Sequence, residues 1–192
     1  MQKGTQTERI RKLTLLAILT AIVFVLQFFF SSFRLGGFSV ATVLLPIVIG
    51  AAFCGPLSGA WLGLVFAGAV FLSGDAAFFL TLNPFGTVVT VVLKGVLAGL
   101  VTGLVYRLLE RYNRYLAVTV SAVVCPLVNT GVFVLGCFLF FYEPIAGFAG
   151  AEGMNVWAYI LTFYVTFNFV FEMLFNIVFC PIITRLLSLR RK

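Results

Sequence analysis

Long apolar runs, separated by short clusters of glycine, proline and charge, fill the chain. The runs lie at roughly 13–31, 39–54, 57–73, 86–109, 115–141 and 156–187. Gly36, Gly37, Gly55, Pro56, Gly74, Asn83, Pro84, Asn113, Pro144, Gly150 and Gly153 fall in the breaks, as turn residues do. A helix of about 20 apolar residues crosses the hydrocarbon layer of a bilayer. The pattern predicts an all-α integral membrane protein, one domain over residues 1–192, with six transmembrane helices. The second run is short and its turn to the third, Cys54-Gly55-Pro56, is tight, so these two helices form an antiparallel hairpin. The first run follows a basic stretch. It is too long for a signal-peptide core and lacks a small-residue cleavage site, which predicts a retained first helix.

Composition agrees with lipid as the solvent. The chain is 62% hydrophobic and 10% charged, with a mean hydropathy of +1.15. A water-facing surface needs more polar groups than that. The formal charge of +7 raises nucleic acid or a membrane surface as partners. Position decides against nucleic acid, because the charges flank spans and form no groove-binding patch. Lys3, Arg9, Arg11 and Lys12 precede the first run; Arg107, Arg111 and Arg114 sit between the fourth and fifth; Arg185, Arg190, Arg191 and Lys192 close the chain. With both termini in the cytoplasm, eleven of the thirteen Lys and Arg fall on the inner side, as the positive-inside rule requires. Asp75, Glu143 and Glu152 then fall outside. The expected location is the plasma membrane of a prokaryote, crossed several times.

Small residues repeat at four-residue spacing on three helices: Ala17 and Ala21 on the first, Gly59, Gly63 and Ala67 on the third, Gly95, Gly99 and Gly103 on the fourth. Such stripes let helix backbones approach closely in lipid. For each stripe, packing within the chain and contact with a partner subunit stand as alternatives. Cys54, Cys125, Cys137 and Cys180 form no CxxC pair, and the chain has no histidine, so neither a zinc site nor another cofactor is expected.

Polar groups inside the spans carry more information. Tyr164, Asn168, Glu172 and Asn176 form a stripe at i, i+4 spacing on the sixth helix, and Thr87, Thr90 and Lys94 share a face of the fourth. Asn129 lies on the fifth, between Pro126 and Gly131, which loosen the backbone and free groups for bonding. Lys94 and Glu172 would each cost about 2.5–3.5 kcal/mol if they faced lipid, so both are expected to face inward. At about 1.5 Å per residue, Lys94 lies about 12 Å below the outer end of its helix, Asn129 and Asn168 about 18 Å, and Glu172 about 24 Å. A cavity open to the outside and lined by these groups is one reading; a structural Lys–Glu pair with interhelical amide bonds is the other. Arg34, at the outer mouth, either attracts an anionic substrate or snorkels to the headgroups. Trp61, Trp157 and Tyr159 suit interfacial anchoring, while Trp157, Phe78, Phe79 and Phe85 are placed to close over a ligand. The outer segments at about 31–38, 74–85 and 142–155 are read either as covers for such a site or as plain connectors.

Taken in order, these segments resemble a substrate-binding S component of an energy-coupling factor (ECF) transporter. The resemblance covers nearly the whole chain. It rests on the size, the six spans, Ala17-x-x-x-Ala21, Pro46-Ile47-Val48-Ile49-Gly50 leading to Gly55-Pro56-Leu57-Ser58-Gly59, and Pro126-Leu127-Val128-Asn129-Thr130-Gly131. It implies capture of a vitamin or related micronutrient near the outer face, in a site built by the fourth to sixth helices and capped by external loops. It also implies docking of Ala17 and Ala21 on a transmembrane coupling subunit of the EcfT type, driven by two cytoplasmic ATPases. The chain itself has no GxxxxGK[ST] phosphate loop. Substrate binding then falls to Lys94, Asn129, Asn168, Glu172, Tyr164, Thr90 and Arg34. The segments look most like pantothenate-type and unassigned members, and Lys94 with Arg34 suits a carboxylate. Glu172 suits a cationic or purine-like substrate such as a queuosine precursor; riboflavin, folate and pyridoxine-like compounds stay open.

Two other classes compete. A membrane enzyme lacks the usual residues, with no histidine and only scattered carboxylates. A small channel or stand-alone secondary transporter would show inverted repeats with interrupted helices, and no internal repeat is evident.

Overall fold

The computed structural model describes residues 2–31, 34–35, 38–39 and 43–189; the side chains of 2–5, 34–35, 38–39, 167–168, 171 and 186–189 fall outside that description. The elements are α1 (Gln2–Ser31), β1 (Arg34–Leu35), β2 (Phe38–Ser39), α2 (Leu44–Cys54), α3 (Pro56–Leu72), α4 (Ala77–Leu82), α5 (Pro84–Leu109), α6 (Arg114–Phe140), α7 (Tyr142–Ala151), α8 (Val156–Tyr159), a π-helical segment (Ile160–Val165) and α9 (Thr166–Leu189). The fold is helical, and its one departure among the described residues is the two-residue antiparallel ribbon β1–β2, with Arg34 opposite Ser39.

Three helices are long and apolar enough to cross a membrane: Gln6–Ser31, Pro84–Leu109 and Arg114–Phe140. Leu44–Cys54, Pro56–Leu72 and Val156–Val165 are apolar but shorter. The expected second span begins five residues late. Its 11 residues measure about 16 Å, well short of a hydrocarbon layer of about 30 Å. It is instead the most enclosed helix, with Leu44, Pro46, Ile47, Val48, Gly50 and Ala51 buried. Gly55, at φ 101°, turns the chain, and Pro56 opens α3 at the position where a missing N–H costs nothing.

The glycine stripes of α3 and α5 close on each other. A Cβ on Gly59 would land on the carbonyl of Gly99, and one on Gly63 on the carbonyl of Gly95. Gly103 lies against Pro56. These two stripes are therefore packing inside the chain, which brings the two backbones into contact. The α1 stripe behaves differently. Among the described side chains of that helix, Leu19, Val23 and Gln27, one row at four-residue spacing, are the buried ones, while Ala17 and Ala21 are exposed.

Pro126 sits inside α6 and cannot supply the N–H that the Ala122 carbonyl would accept one turn back. Asn176 of α9 supplies it instead, its Nδ2 donating to Ala122 O at 3.2 Å. The loosened backbone expected around Pro126 is thus repaired by a side chain from another helix, and the same bond fixes α9 against α6.

The segments read as outer loops contain helices. Asn83 caps α5 by accepting from Gly86 N at 2.9 Å and donates to Phe140 O at 3.3 Å, which ties the start of α5 to the end of α6. α4 precedes it and α7 follows α6, each a short apolar helix that buries an aliphatic or aromatic face: Phe79 from α4, Ile145 and Ala149 from α7.

Candidate functional site

α5 carries Thr87, Thr90 and Lys94 on its inner face. Thr87 is occupied by its own helix, its hydroxyl donating to Asn83 O at 2.8 Å. Thr90 is buried, its side chain against Gly136 of α6, and its Oγ1 has no hydrogen-bond partner among the described residues. One turn on, Lys94 places its Nζ 5.6 Å from the ring centroid of Phe66 and 5.4 Å from that of Phe133. Ring faces attract a cation at that range. The carboxylates of Glu172 and Asp75 both lie within electrostatic reach of the same ammonium group.

Phe133 links Lys94 to the rest of the site. Its ring is 6.3 Å from that of Tyr164 and 5.4 Å from Phe79, and Phe79 in turn lies 5.2 Å from Phe141 and 5.6 Å from Tyr164. Edge-to-face contacts at these distances hold the rings in fixed orientations. One turn before Phe133 on α6, Asn129 is buried, and its Oδ1 has no partner among the described residues. Glu172, 1% exposed, acts electrostatically on both Lys94 and Cys125, and Cys125 is one turn from Asn129. Thr90, Lys94, Asn129, Tyr164 and Glu172 therefore gather where α5, α6 and the last long helix meet, beside an aromatic wall.

The remaining expectations fare differently. Asn176, the last member of the polar stripe, is engaged with Ala122 and belongs to the scaffold. Asn168 lies in α9 and Arg34 in β1, but the side chains of both fall outside the described residues. Tyr164 sits in the π-helical segment, whose wider turn shifts the register upstream of Thr166. A single π turn of this kind often accompanies a functional site.

One residue was missed. Gln27 of α1 is 3% exposed and donates from Nε2 to Asp75 Oδ2, and also to Ser73 Oγ at 3.2 Å. It anchors Asp75, which sequence reasoning used only as an outward topological marker, within reach of Lys94. The signal was present in the first run, where Gln27 is the lone amide in an otherwise apolar stretch. Phe79, expected with Phe78 and Phe85 to close over a ligand, is the hub of the aromatic wall, and its place on α4 rather than on a connector is what puts it there.

Chemically, the group offers an ammonium donor, an amide, a hydroxyl, two nearby carboxylates and flat apolar rings. Few polar groups against aromatic walls suit binding a small molecule. Among the described residues no cluster of His, Cys, Asp or Glu suits a metal ion.

The family model of the ECF transporter substrate-specific component matches residues 11–183. The chain belongs to that family. No curated protein and no solved structure matches it significantly. As an S component it is a multi-pass membrane protein. Its family supplies the substrate-binding subunit of an importer rather than an enzyme, and works with an EcfT and ATPase module. In this S component Ala17 and Ala21 remain uncovered on α1, and Trp61 of α3 donates from Nε1 to Thr20 Oγ1 at 3.3 Å beside them. Lys12, Gly55, Arg107 and Arg114 line one cavity, so the N-terminal segment and the α2–α3 and α5–α6 turns share one basic end.

Proposed function

We propose that this S component captures a vitamin-class micronutrient between α5, α6 and α9, with pantothenate as the best candidate. The reading includes six spans, both termini in the cytoplasm, and a site open to the outside. The observation that carries it is Lys94 against Phe133 of the Phe79–Phe133–Tyr164 wall, on the same two helices as Thr90 Oγ1 and Asn129 Oδ1, buried atoms with no partner among the described residues. Unused polar atoms in a dry interior cost stability, and a ligand that bonds them recovers that cost. Lys94 takes the substrate carboxylate, Asn129 and Thr90 take hydroxyl and amide groups, and the rings take the apolar part. Arg34 and Asn168 complete the set at the mouth and on α9.

A second reading has its own support. Two carboxylates, Glu172 and Asp75, act on one ammonium group. That balance suits a substrate with a cationic or purine-like group, such as a queuosine precursor. On either reading Ala17 and Ala21 form the seat of the EcfT-type coupling subunit.

The test is binding by the purified subunit across a micronutrient panel, followed as thermal stabilisation and then by calorimetry. A ligand at about 100 times its Kd adds about 2.7 kcal/mol of stability. A tight pantothenate signal supports the first reading and a tight signal from a purine or amine supports the second. A folded sample that binds nothing in the panel overturns both.

A further inference from the structure

The cavity at the basic end of the bundle is separate from the proposed substrate site. Its volume is about 720 Å³, and it lies between the α2–α3 turn, the last turns of α5 and the start of α6. Lys12, Arg107 and Arg114 line it, with Glu110 as the one carboxylate, so its wall carries a surplus of two positive charges. Its inner wall is different in kind. Leu100 and Leu104 continue from Arg107 along α5 toward the middle of the helix, and Leu57 faces them from the start of α3, highly exposed. From Arg107 to Leu100 is about 10 Å along a helix axis. Between the two halves lies Tyr106, 2% exposed, whose hydroxyl sits within hydrogen-bonding reach of Arg114 and Glu110.

We propose that this cavity is a binding site for an anionic phospholipid. A phosphate diester accepts charge-assisted bonds from Arg107, Arg114 and Lys12 and a bond from the Tyr106 hydroxyl, while an acyl chain lies along Leu100 and Leu104. Basic pockets between membrane helices, at the level of the headgroups, recognise anionic lipids in this way. A free phosphate or a soluble phosphate ester shares the headgroup chemistry but leaves the apolar arm empty. The lipid is therefore the occupant that uses the whole cavity.

Cys54 gives a built-in reporter. It lines the cavity and is half-buried, whereas Cys125, Cys137 and Cys180 are buried. The full chain, delipidated in a neutral detergent, is titrated with phosphatidylglycerol, with phosphatidylcholine of the same acyl chains, and with glycerol 3-phosphate. Bound lipid is counted by native mass spectrometry, and maleimide labelling of Cys54 is timed. Phosphatidylglycerol is expected to be retained and to slow labelling at concentrations roughly tenfold below those at which phosphatidylcholine does so. R107Q with R114Q is expected to abolish that preference, and L104W to block retention with every charge in place. R9Q, which removes an exposed charge outside the cavity wall, should leave the preference intact. Equal protection by phosphatidylcholine, or equal protection by glycerol 3-phosphate, would overturn the proposal. So would an equal loss of preference in R9Q, or protection by added coupling subunit in a lipid-free sample. If the double arginine variant does not fold, the comparison of lipids on the native chain and on L104W decides alone.

Discussion

Gly63 and Gly68 lie five residues apart on α3 and should respond to the same substitution in opposite directions. A Cβ at Gly63 would fall on the carbonyl oxygen and carbon of Gly95 and close to the amide nitrogen of Val96, all of them backbone atoms of α5. Backbone cannot rotate away as a side-chain tip can, so α3 and α5 must separate. Overpacking of this sort costs about 1–3 kcal/mol. A Cβ at Gly68 would meet nothing within 4 Å. There the helix simply gains the propensity of alanine, about 0.5–1 kcal/mol over glycine. Gly63→Ala and Gly68→Ala should therefore differ by about 1.5–4 kcal/mol in equilibrium unfolding of the purified chain in detergent, with the native protein between them. Equal stability of the two variants would refute the close contact between α3 and α5. A Gly63→Ala chain that folds as well as the native one but no longer couples to its ATPase module would do more. It would move the α3 stripe from the interior to a partner surface.

Lys94→Ala should weaken substrate binding by tens-fold, in line with about 1.5–3 kcal/mol for a charged hydrogen bond, and calorimetry with the ligand found in the panel measures it. Unchanged affinity would leave Lys94 as a partner of Glu172 and Asp75 only. Ala17→Trp should block transport and co-purification with the coupling subunit while leaving ligand affinity intact, since Ala17 is exposed on α1; loss of binding as well would make the stripe internal packing. Asn176→Leu should destabilise the chain by about 1–3 kcal/mol by orphaning the Ala122 carbonyl. Adding Pro126→Ala, which returns the helical N–H to that carbonyl, should recover much of the loss, and a strictly additive double variant would contradict the repair.

Sequence pattern reads the long elements well because a continuous apolar run has few ways to be satisfied. The expected 86–109 and 115–141 correspond to α5 at Pro84–Leu109 and α6 at Arg114–Phe140. It reads short ones poorly. Residues 39–54 form one apolar stretch, yet α2 begins only at Leu44, because a helix enclosed by its neighbours shows the same hydropathy as one facing lipid. The segments at 74–85 and 142–155, with their Gly, Phe and acidic residues, read as loops that either cover a site or connect spans, and no helix is expected in them. Apolar clusters such as Ala77-Phe78-Phe79-Leu80 fold there as α4 and bury Phe79. The π-helical register at Ile160–Val165 has no periodic signature distinguishable from an α-helix over six residues. In the candidate site, Thr90, Lys94, Asn129, Tyr164 and Glu172 were picked out because polar groups are conspicuous against an apolar background. Asn176 was conspicuous for the same reason and has a different role.

That last distinction separates two uses of a buried polar group. Asn176 answers a defect the chain itself creates, since Pro126 withholds one N–H and the amide supplies one in its place. Asn83 answers the opposite vacancy at the open first turn of α5, where its Oδ1 accepts from the Gly86 N–H. In one case the amide supplies a missing donor and in the other a missing acceptor, so both serve the backbone. Thr90 Oγ1 and Asn129 Oδ1 answer no such defect among the described residues, where neither atom has a hydrogen-bond partner. A membrane protein that buries such atoms beside a lysine has left bonding capacity unspent. In a hydrocarbon surrounding that capacity is costly, and on the function proposed above a substrate with its own hydroxyl, amide and carboxylate groups would be its complement.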